Sequence, residues 1–347
     1  MIVVSNNTGV GLAQVIGCKL STPNNTLNGI ADNIGTIPDG TDPIIFVGKG
    51  FGKIATGMSS RRPVYGSADW TDKVNEYPEL GMELALKMGM KLPEYKVVSD
   101  PDAQHRYDTN LQWDKLTKSC YIKKTTGRPL TVEGFYDGQR FRNFFVKIAE
   151  DRLLHNNVGA NVGCALSTLF SMPNTKLKPM FALLAQELAI ECPEYRGVVT
   201  ISAVIFDNKI MFRYVRFGYD PHAEISKVFL CGKPVITGAG NIPLGFASTV
   251  SLYDIRKEGL RVDRIASEKY CIPIMVNMTD DGIITSGEET AVCAGLGTTI
   301  KESFENAYQI VKKVQVKDLC YRADGGTYAL SVWKFLMKHD QLKEKKS

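Results

Sequence analysis

Thr285-Ser-Gly-Glu-Glu-Thr-Ala-Val-Cys-Ala-Gly-Leu-Gly-Thr-Thr-Ile-Lys-Glu-Ser-Phe-Glu-Asn-Ala-Tyr308, followed a little later by Tyr321-Arg-Ala-Asp-Gly-Gly326, decides how this chain is read. A glycine-rich, strand-like run gives way to a helix expected over 301–314. Its Phe304, Ala307, Tyr308, Val311 and Val314 fall on one stripe at helical spacing, and that stripe is expected to pack. Upstream lies a β-rich stretch through Met275 and Ala291, set off by the Gly- and Pro-containing segment Pro234 to Leu244, where a domain boundary is expected. Before it come a helix over Leu177 to Ile190 and two strands, Val198 to Phe206 and Lys209 to Phe217, whose Asp207-Asn208 connection reads as a hairpin. Further out, Val74 to Met90 places Leu80, Leu84, Ala85 and Met88 at helical spacing and stops at Lys91-Leu92-Pro93, before the strand-like Tyr95 to Val98. The first sixty residues alternate short β-like runs, Ile2 to Ser5 and Pro43 to Gly48, with loops such as Asn24 to Asp42, as in a small open α/β unit.

The 347 residues are 44% hydrophobic and 23% charged, with 42 Lys+Arg against 37 Asp+Glu. This is the composition of an ordinary globular chain and excludes disordered, collagenous and membrane-bundle classes. The length predicts two or three domains. Eight cysteines, never closer than 22 residues, leave no C-x-x-C pair for a zinc knuckle or redox dithiol, so they are read as reduced core thiols. The N-terminal MIVVSNNTGVG lacks the basic start of a secretory signal, and the longest apolar run, Val198 to Phe206, is far short of a membrane span. A cytoplasmic protein with no membrane partner is the expectation. The net charge of +5 is mild, and the lysines of the tail from Lys338 to Ser347 alternate with Asp340 and Glu344, which reads as a solvated end.

Generic motifs contribute little. Gly48-Lys49-Gly50-Phe51-Gly52-Lys53 has the glycines of an anion cradle but neither the spacing of a phosphate-binding P-loop nor a Ser or Thr after the lysine, so a βα loop is expected. Thr8-Gly9-Val10-Gly11 lacks the third glycine of a dinucleotide fingerprint. The four histidines contain no i, i+4 pair, and no G-x-S-x-G elbow occurs. Arg140-Phe141-Arg142-Asn143-Phe144-Phe145 interleaves bases with rings as a single-strand nucleic-acid surface does, but strand alternation accounts for it equally.

The opening stretch, with Arg322 and Asp324 in Arg-x-Asp-x-Gly, resembles the C-terminal domain of the phosphoribosylamine-glycine ligases, members of the ATP-grasp superfamily. Other segments resemble that family in order: Ile45-Phe-Val-Gly48, Pro63-Val-Tyr-Gly-Ser67, Lys91-Leu-Pro-Glu-Tyr95, Tyr195-Arg-Gly-Val-Val199 and Arg216-Phe-Gly-Tyr-Asp-Pro221. The resemblance runs from about Ile44 to Gly326. It implies a multidomain α/β ATP-grasp-like fold with an N-terminal α/β domain (1–66), a reduced ATP-grasp-like domain (67–233), a C-terminal α+β domain (234–330) and a helical or solvated tail (331–347). It also implies a ligase that joins an amino-acid carboxylate to an amine on a sugar phosphate or nucleotide, using ATP and Mg²⁺.

Two departures from the family are legible. The family's Glu-Phe-Asn-x-Arg-Phe-Gly strand is matched by Phe212 to Gly218, so period-2 alternation is expected to present Phe212, Tyr214 and Arg216 where Mg²⁺ would be held. No metal ligand is therefore assigned, and Arg216 is the one catalytic candidate. The family's β-rich lid lies between strands matched here by Tyr121-Ile122-Lys123 and Val132-Glu133-Gly134-Phe135, and only Lys124 to Thr131 separate them. Lys123 and Glu133 match the family's nucleotide-contacting residues, whereas its ribose-binding Glu is matched by Gln139 or Arg140. Asn161 and Gly163, in Gly159-Ala-Asn-Val-Gly163, match the amine-substrate loop and join Arg322 and Asp324 as substrate-binding candidates. The alternative function is a relative that binds a phosphorylated sugar or nucleotide, or a partner, without ATP chemistry.

Overall fold

The computed structural model describes residues 2–5, 19–21, 41–48, 50–108, 110, 112–116, 120–124, 127–171, 178–206, 209–232, 243–254, 270–274, 276–279, 282–285, 289–314 and 319–338. The N-terminal unit is a four-stranded parallel sheet of order β2-β1-β3-β4, from β1 (Ile2–Ser5), β2 (Lys19–Ser21), β3 (Ile44–Val47) and β4 (Val64–Tyr65), with α1 (Gly52–Ser59) between the last two. All four residues of β3 are buried, as a strand covered on both faces requires. The expectations at Thr8 to Gly11, most of Asn24 to Asp42, Asp207-Asn208, most of Pro234 to Leu244 and the end of the tail lie outside the described residues.

The helix expected over 74–90 is two helices, α2 (Asp69–Glu76) and α3 (Pro78–Lys87). Pro78 cannot continue a helix through its missing N–H, so Tyr77 turns extended (φ −112°, ψ 90°) and Pro78 opens the next one at a position where no donor is needed. A three-stranded antiparallel sheet follows, of order β5-β7-β6, from β5 (Tyr95–Val97), β6 (Trp113–Lys115) and β7 (Cys120–Lys123), with α4 (Pro101–Asp108) between β5 and β6.

Among the described residues the large sheet has nine strands, in the order β12-β11-β8-β9-β10-β13-β17-β14 with β18 paired to β13. Its members are β8 (Arg128–Tyr136), β9 (Phe141–Leu154), β10 (Val158–Ser171), β11 (Gly197–Phe206), β12 (Lys209–Phe217), β13 (Phe246–Asp254), β14 (Cys271–Pro273), β17 (Glu289–Gly297) and β18 (Leu319–Cys320); β15 (Val276–Thr279) and β16 (Gly282–Thr285) form a separate ribbon. Strands from before residue 233 and after residue 234 share this sheet, because β10 pairs with β13. One face is covered by α2, α3, α5 (Lys178–Glu191), α7 (Ile300–Val311) and α8 (Thr327–Lys338), whose apolar residues share a core with Leu130, Val132, Val146, Val250 and Cys293. The other face carries the N-terminal sheet, through Val3, Ile45 and Val47 on Phe135 and Val198, and α6 (Pro221–Cys231).

The helix read as 301–314 is α7, capped by Thr299, whose side chain accepts from Glu302 N at 3.1 Å. The glycines before it have a packing reason. A Cβ on Gly295 would lie 2.2 Å from Ala307 N and Ser303 O, so only glycine lets α7 approach β17 this closely. Under α6 the packing is partly ionic: Lys227 lies 2.7 Å from Glu133 and 2.6 Å from Glu224, Lys147 pairs with Asp220, and His222 Nε2 is 3.1 Å from Glu289. No helix among the described residues is long and apolar enough to cross a membrane.

Candidate functional site

A cleft of about 440 Å³ opens where α2 and α3 meet the edge strand β12 and the tip of the β9–β10 hairpin. Local sequence fixes its walls. Asn75 acts as a surrogate strand residue, donating to Phe217 O and accepting from Phe217 N, both at 2.9 Å, which clips α2 to β12. Gly81 brings α3 against Val215, where an added Cβ would come within 3.2 Å of a methyl group. On the far wall, Gly163 N donates to Asn161 Oδ1 at 2.9 Å, and Gly163 adopts φ +85°, so the loop doubles back on itself.

The wall formed by β12 differs from the alternation expected of it. Ser202 pairs with Tyr214 but Ala203 pairs with Phe212, so Arg213 is an extra residue, a β-bulge. The bulge slips the phase of the strand by one. Phe212 is fully buried in the helical-face core with Val215 and Phe217, while Arg213, Tyr214 and Arg216 line the cleft. The expectation that Phe212 faces the cleft beside Tyr214 and Arg216 is thus corrected: its place is taken by Arg213. The signal was present in the spacing of apolar residues, Ile210 and Phe212 followed by Val215 and Phe217, which breaks period 2 between 212 and 215.

The structure brings Arg216, Asn161 and Gly163 together in this cleft and adds Lys115, Arg213 and Asp151, which the sequence reading did not single out. Three cations thus face a single carboxylate among its described lining residues. Lys115 is also tied to Asp108 at 2.9 Å. The surroundings of Asp151 push its carboxyl above the ordinary range by burial, against the pull of Lys147, Arg213 and Arg152.

The other candidates lie elsewhere. Lys123 ends β7 in an exposed ion pair with Glu94 at 2.9 Å, beside a small cavity of about 90 Å³ that Phe212 also lines. Glu133 is buried in the middle of β8 and held by Lys227 beneath α6, so these two residues do not converge on one ligand position. Arg322 is enclosed. Its guanidinium donates to Asp324 Oδ1 at 2.5 Å, to Glu150 and to Arg152 O at 3.1 Å, while Asp324 accepts from Asn156 N at 2.9 Å. Arg152 is the register partner of Asn161, so this network braces the back of the hairpin that carries the cleft loop. Burial raises the Glu150 carboxyl to about 7 despite Arg322, whereas Asp324 stays below the ordinary range because Arg322 and the Asn156 N–H outweigh its burial.

Two generic motifs are also accounted for. The glycine loop at 48–53 does cradle an anion, but it is the chain's own: Gly50 N and Gly52 N donate to Asp72 Oδ2 at 3.1 and 2.7 Å. In the Arg140 to Phe145 segment, Phe144 and Phe145 are buried on opposite faces of β9 and Arg142 pairs with Asp137, as strand alternation requires.

Comparison with solved structures matches this arrangement over most of its length. A phosphoribosylamine-glycine ligase from Thermotoga maritima superposes with a TM-score of 0.64 over 93% of this chain and 99% of that one, at 16% identity. The chain has the ATP-grasp fold. N5-carboxyaminoimidazole ribonucleotide synthetase from Thermus thermophilus matches with a TM-score of 0.56 over 91% and 99% of the two chains, at 12% identity. A carboxyaminoimidazole ribonucleotide synthase from Aspergillus clavatus, complexed with ATP, matches at 0.52 over 90% and 98%, at 10% identity. No protein-family model matches the sequence. On this ATP-grasp frame the connection from β7 to β8 is residues 124–127, so no lid-sized insertion stands between them.

The described residues of the cleft and of the cavity at Lys123 do not fit Mg²⁺-ATP held in the usual ATP-grasp manner. Mg²⁺ requires an octahedron of oxygens anchored by one or two carboxylates. The cleft offers Asp151 facing three cations, and no group of three or more His, Cys, Asp or Glu among the described residues is placed to hold a metal. The cavity at Lys123 is well below the roughly 300 Å³ at which ligand pockets begin.

Proposed function

We propose that this chain binds a phosphorylated small molecule, a sugar phosphate or a nucleotide, in the cleft between α2–α3, β12 and the β9–β10 tip, without ATP chemistry. The observation that carries this reading is the charge of the cleft's described lining, where Lys115, itself paired with Asp108, stands with Arg213 and Arg216 against one lining carboxylate, Asp151. A concave site of about 440 Å³ with that balance concentrates anions and repels a divalent cation. Arg216, read from the sequence as the catalytic candidate, is on this reading a binding residue. Asn161 and Gly163 shape the opposite wall, and Arg322 with Asp324 braces it from behind.

A second reading is favoured by a different observation, the match to nearly the whole length of a phosphoribosylamine-glycine ligase. On it the chain is a ligase that joins an amino-acid carboxylate to an amine on a sugar phosphate or nucleotide. Titration calorimetry against ribose 5-phosphate, AMP, and ATP with Mg²⁺ separates the two. Binding of ribose 5-phosphate or AMP, with no Mg²⁺-dependent binding of ATP, is the expected result. Micromolar Mg²⁺-dependent ATP binding, followed by ADP release when an amino acid and an amino sugar phosphate are supplied, establishes the ligase instead.

A further inference from the structure

The bulge in β12 does more than bury Phe212. In a regular strand Arg213 would lie on the face of Val215 and Phe217, in the apolar core. With the extra residue, Arg213 lines the cleft with Tyr214, Val215 and Arg216, and it also borders the small cavity beside Phe212 and Lys123. Bulges re-aim side chains in this way beside active sites. Apart from Asp151, the chemistry gathered is rich in donors: two guanidinium forks and a phenol, which can donate, on one wall, and on the other Asn161, whose amide oxygen already accepts from Gly163 N–H and whose NH₂ group remains to donate. Asp151 lines the same cleft, and its carboxylate feels Lys147 first and then Arg213 and Arg152, so it offsets part of the repulsion of gathering these cations.

We infer that the Arg213 bulge builds a metal-independent phosphate clamp, in which Arg213 and Arg216 together grip the dianion of a phosphate ester and Asp151 is the internal anion that it displaces. This rests on the reading of the cleft as a phosphorylated-ligand site and names how that ligand is held. Guanidinium groups suit the task because each offers planar paired donors to phosphate oxygens, and two of them supply the charge that a divalent cation would otherwise supply. The role given to Asp151 is the opposite of a metal ligand's. Removing a metal ligand weakens a metal-bridged phosphate, whereas removing a competing anion strengthens a directly held one.

The test is calorimetric titration of the full chain with ribose 5-phosphate and with inorganic pyrophosphate, in EDTA and again with Mg²⁺, for the native chain, Arg213→Gln and Asp151→Asn. The expected results are binding in EDTA that Mg²⁺ does not improve, a weakening of roughly tenfold or more in Arg213→Gln, and tighter binding in Asp151→Asn. Binding that requires Mg²⁺, unchanged affinity in Arg213→Gln, or weaker binding in Asp151→Asn overturns the clamp while leaving the phosphorylated-ligand reading in place. Failure of the native chain to bind either probe under both conditions overturns that reading as well.

Discussion

Arg322 is among the largest side chains that the fold encloses completely, and its charge is met by Glu150 inside and Asp324 at the edge. Replacing it by Ala leaves Glu150 buried without its cation, a change that costs about 3–5 kcal/mol in comparable buried pairs. The loss should depend on pH. Glu150 is raised to about 7 in the folded chain, above its unfolded value, so the stability it contributes is present at acid pH and lost as pH rises through about 7. Without Arg322 the carboxyl moves higher still, so Arg322→Ala should lower the melting temperature more at about pH 8 than at about pH 5.5. An equal loss at both values would mean that Glu150 does not feel the guanidinium. At this scale the sequence named some of the residues that line the candidate cleft. Asn161, Gly163 and Arg216 line one cleft, whereas Lys123 lies exposed at the end of β7 and Glu133 is buried beneath α6. Similarity of residue type carries no information about which face of a strand a side chain takes once a bulge intervenes, and Arg213 was hidden for the same reason.

Elements were more legible than residues, because apolar periodicity records which face is buried whatever the function. The strands Val198 to Phe206 and Lys209 to Phe217 differ from β11 and β12 by one residue at most, and α5 by one residue at each end. The single helix over 74–90 failed at Pro78, where a local rule about the missing N–H outranked a continuous apolar stripe. The glycine-rich character of 285–297 was visible but its purpose was not, since close contact between β17 and α7 is a property of two segments at once. It can be checked by Gly295→Ala. The added methyl has backbone atoms of α7 at 2.2 Å rather than a movable side chain, so the helix must shift. A destabilisation of about 1–3 kcal/mol or more is expected in urea unfolding. A variant as stable as the native chain would show that the approach of α7 to β17 is looser than the geometry here.

For the molecule as a whole, the fold class was legible because five short segments kept their order along the chain, and order constrains topology even where side chains have changed. Composition marked the Gly- and Pro-containing segment from Pro234, but it does not show how the strands on either side pair, and β10 and β13 belong to one sheet. That continuity has a mechanical consequence. β10 and β13 are joined by five antiparallel residue pairs, Leu166 with Val250 through Phe170 with Phe246, in the middle of the nine-stranded order. Tension that pulls β13 away from β10 must rupture that seam of main-chain bonds under load. In an optical trap the sheet should give way in a single force peak from β8 through β17, and two separate peaks of comparable contour length would show that the seam yields before its neighbours.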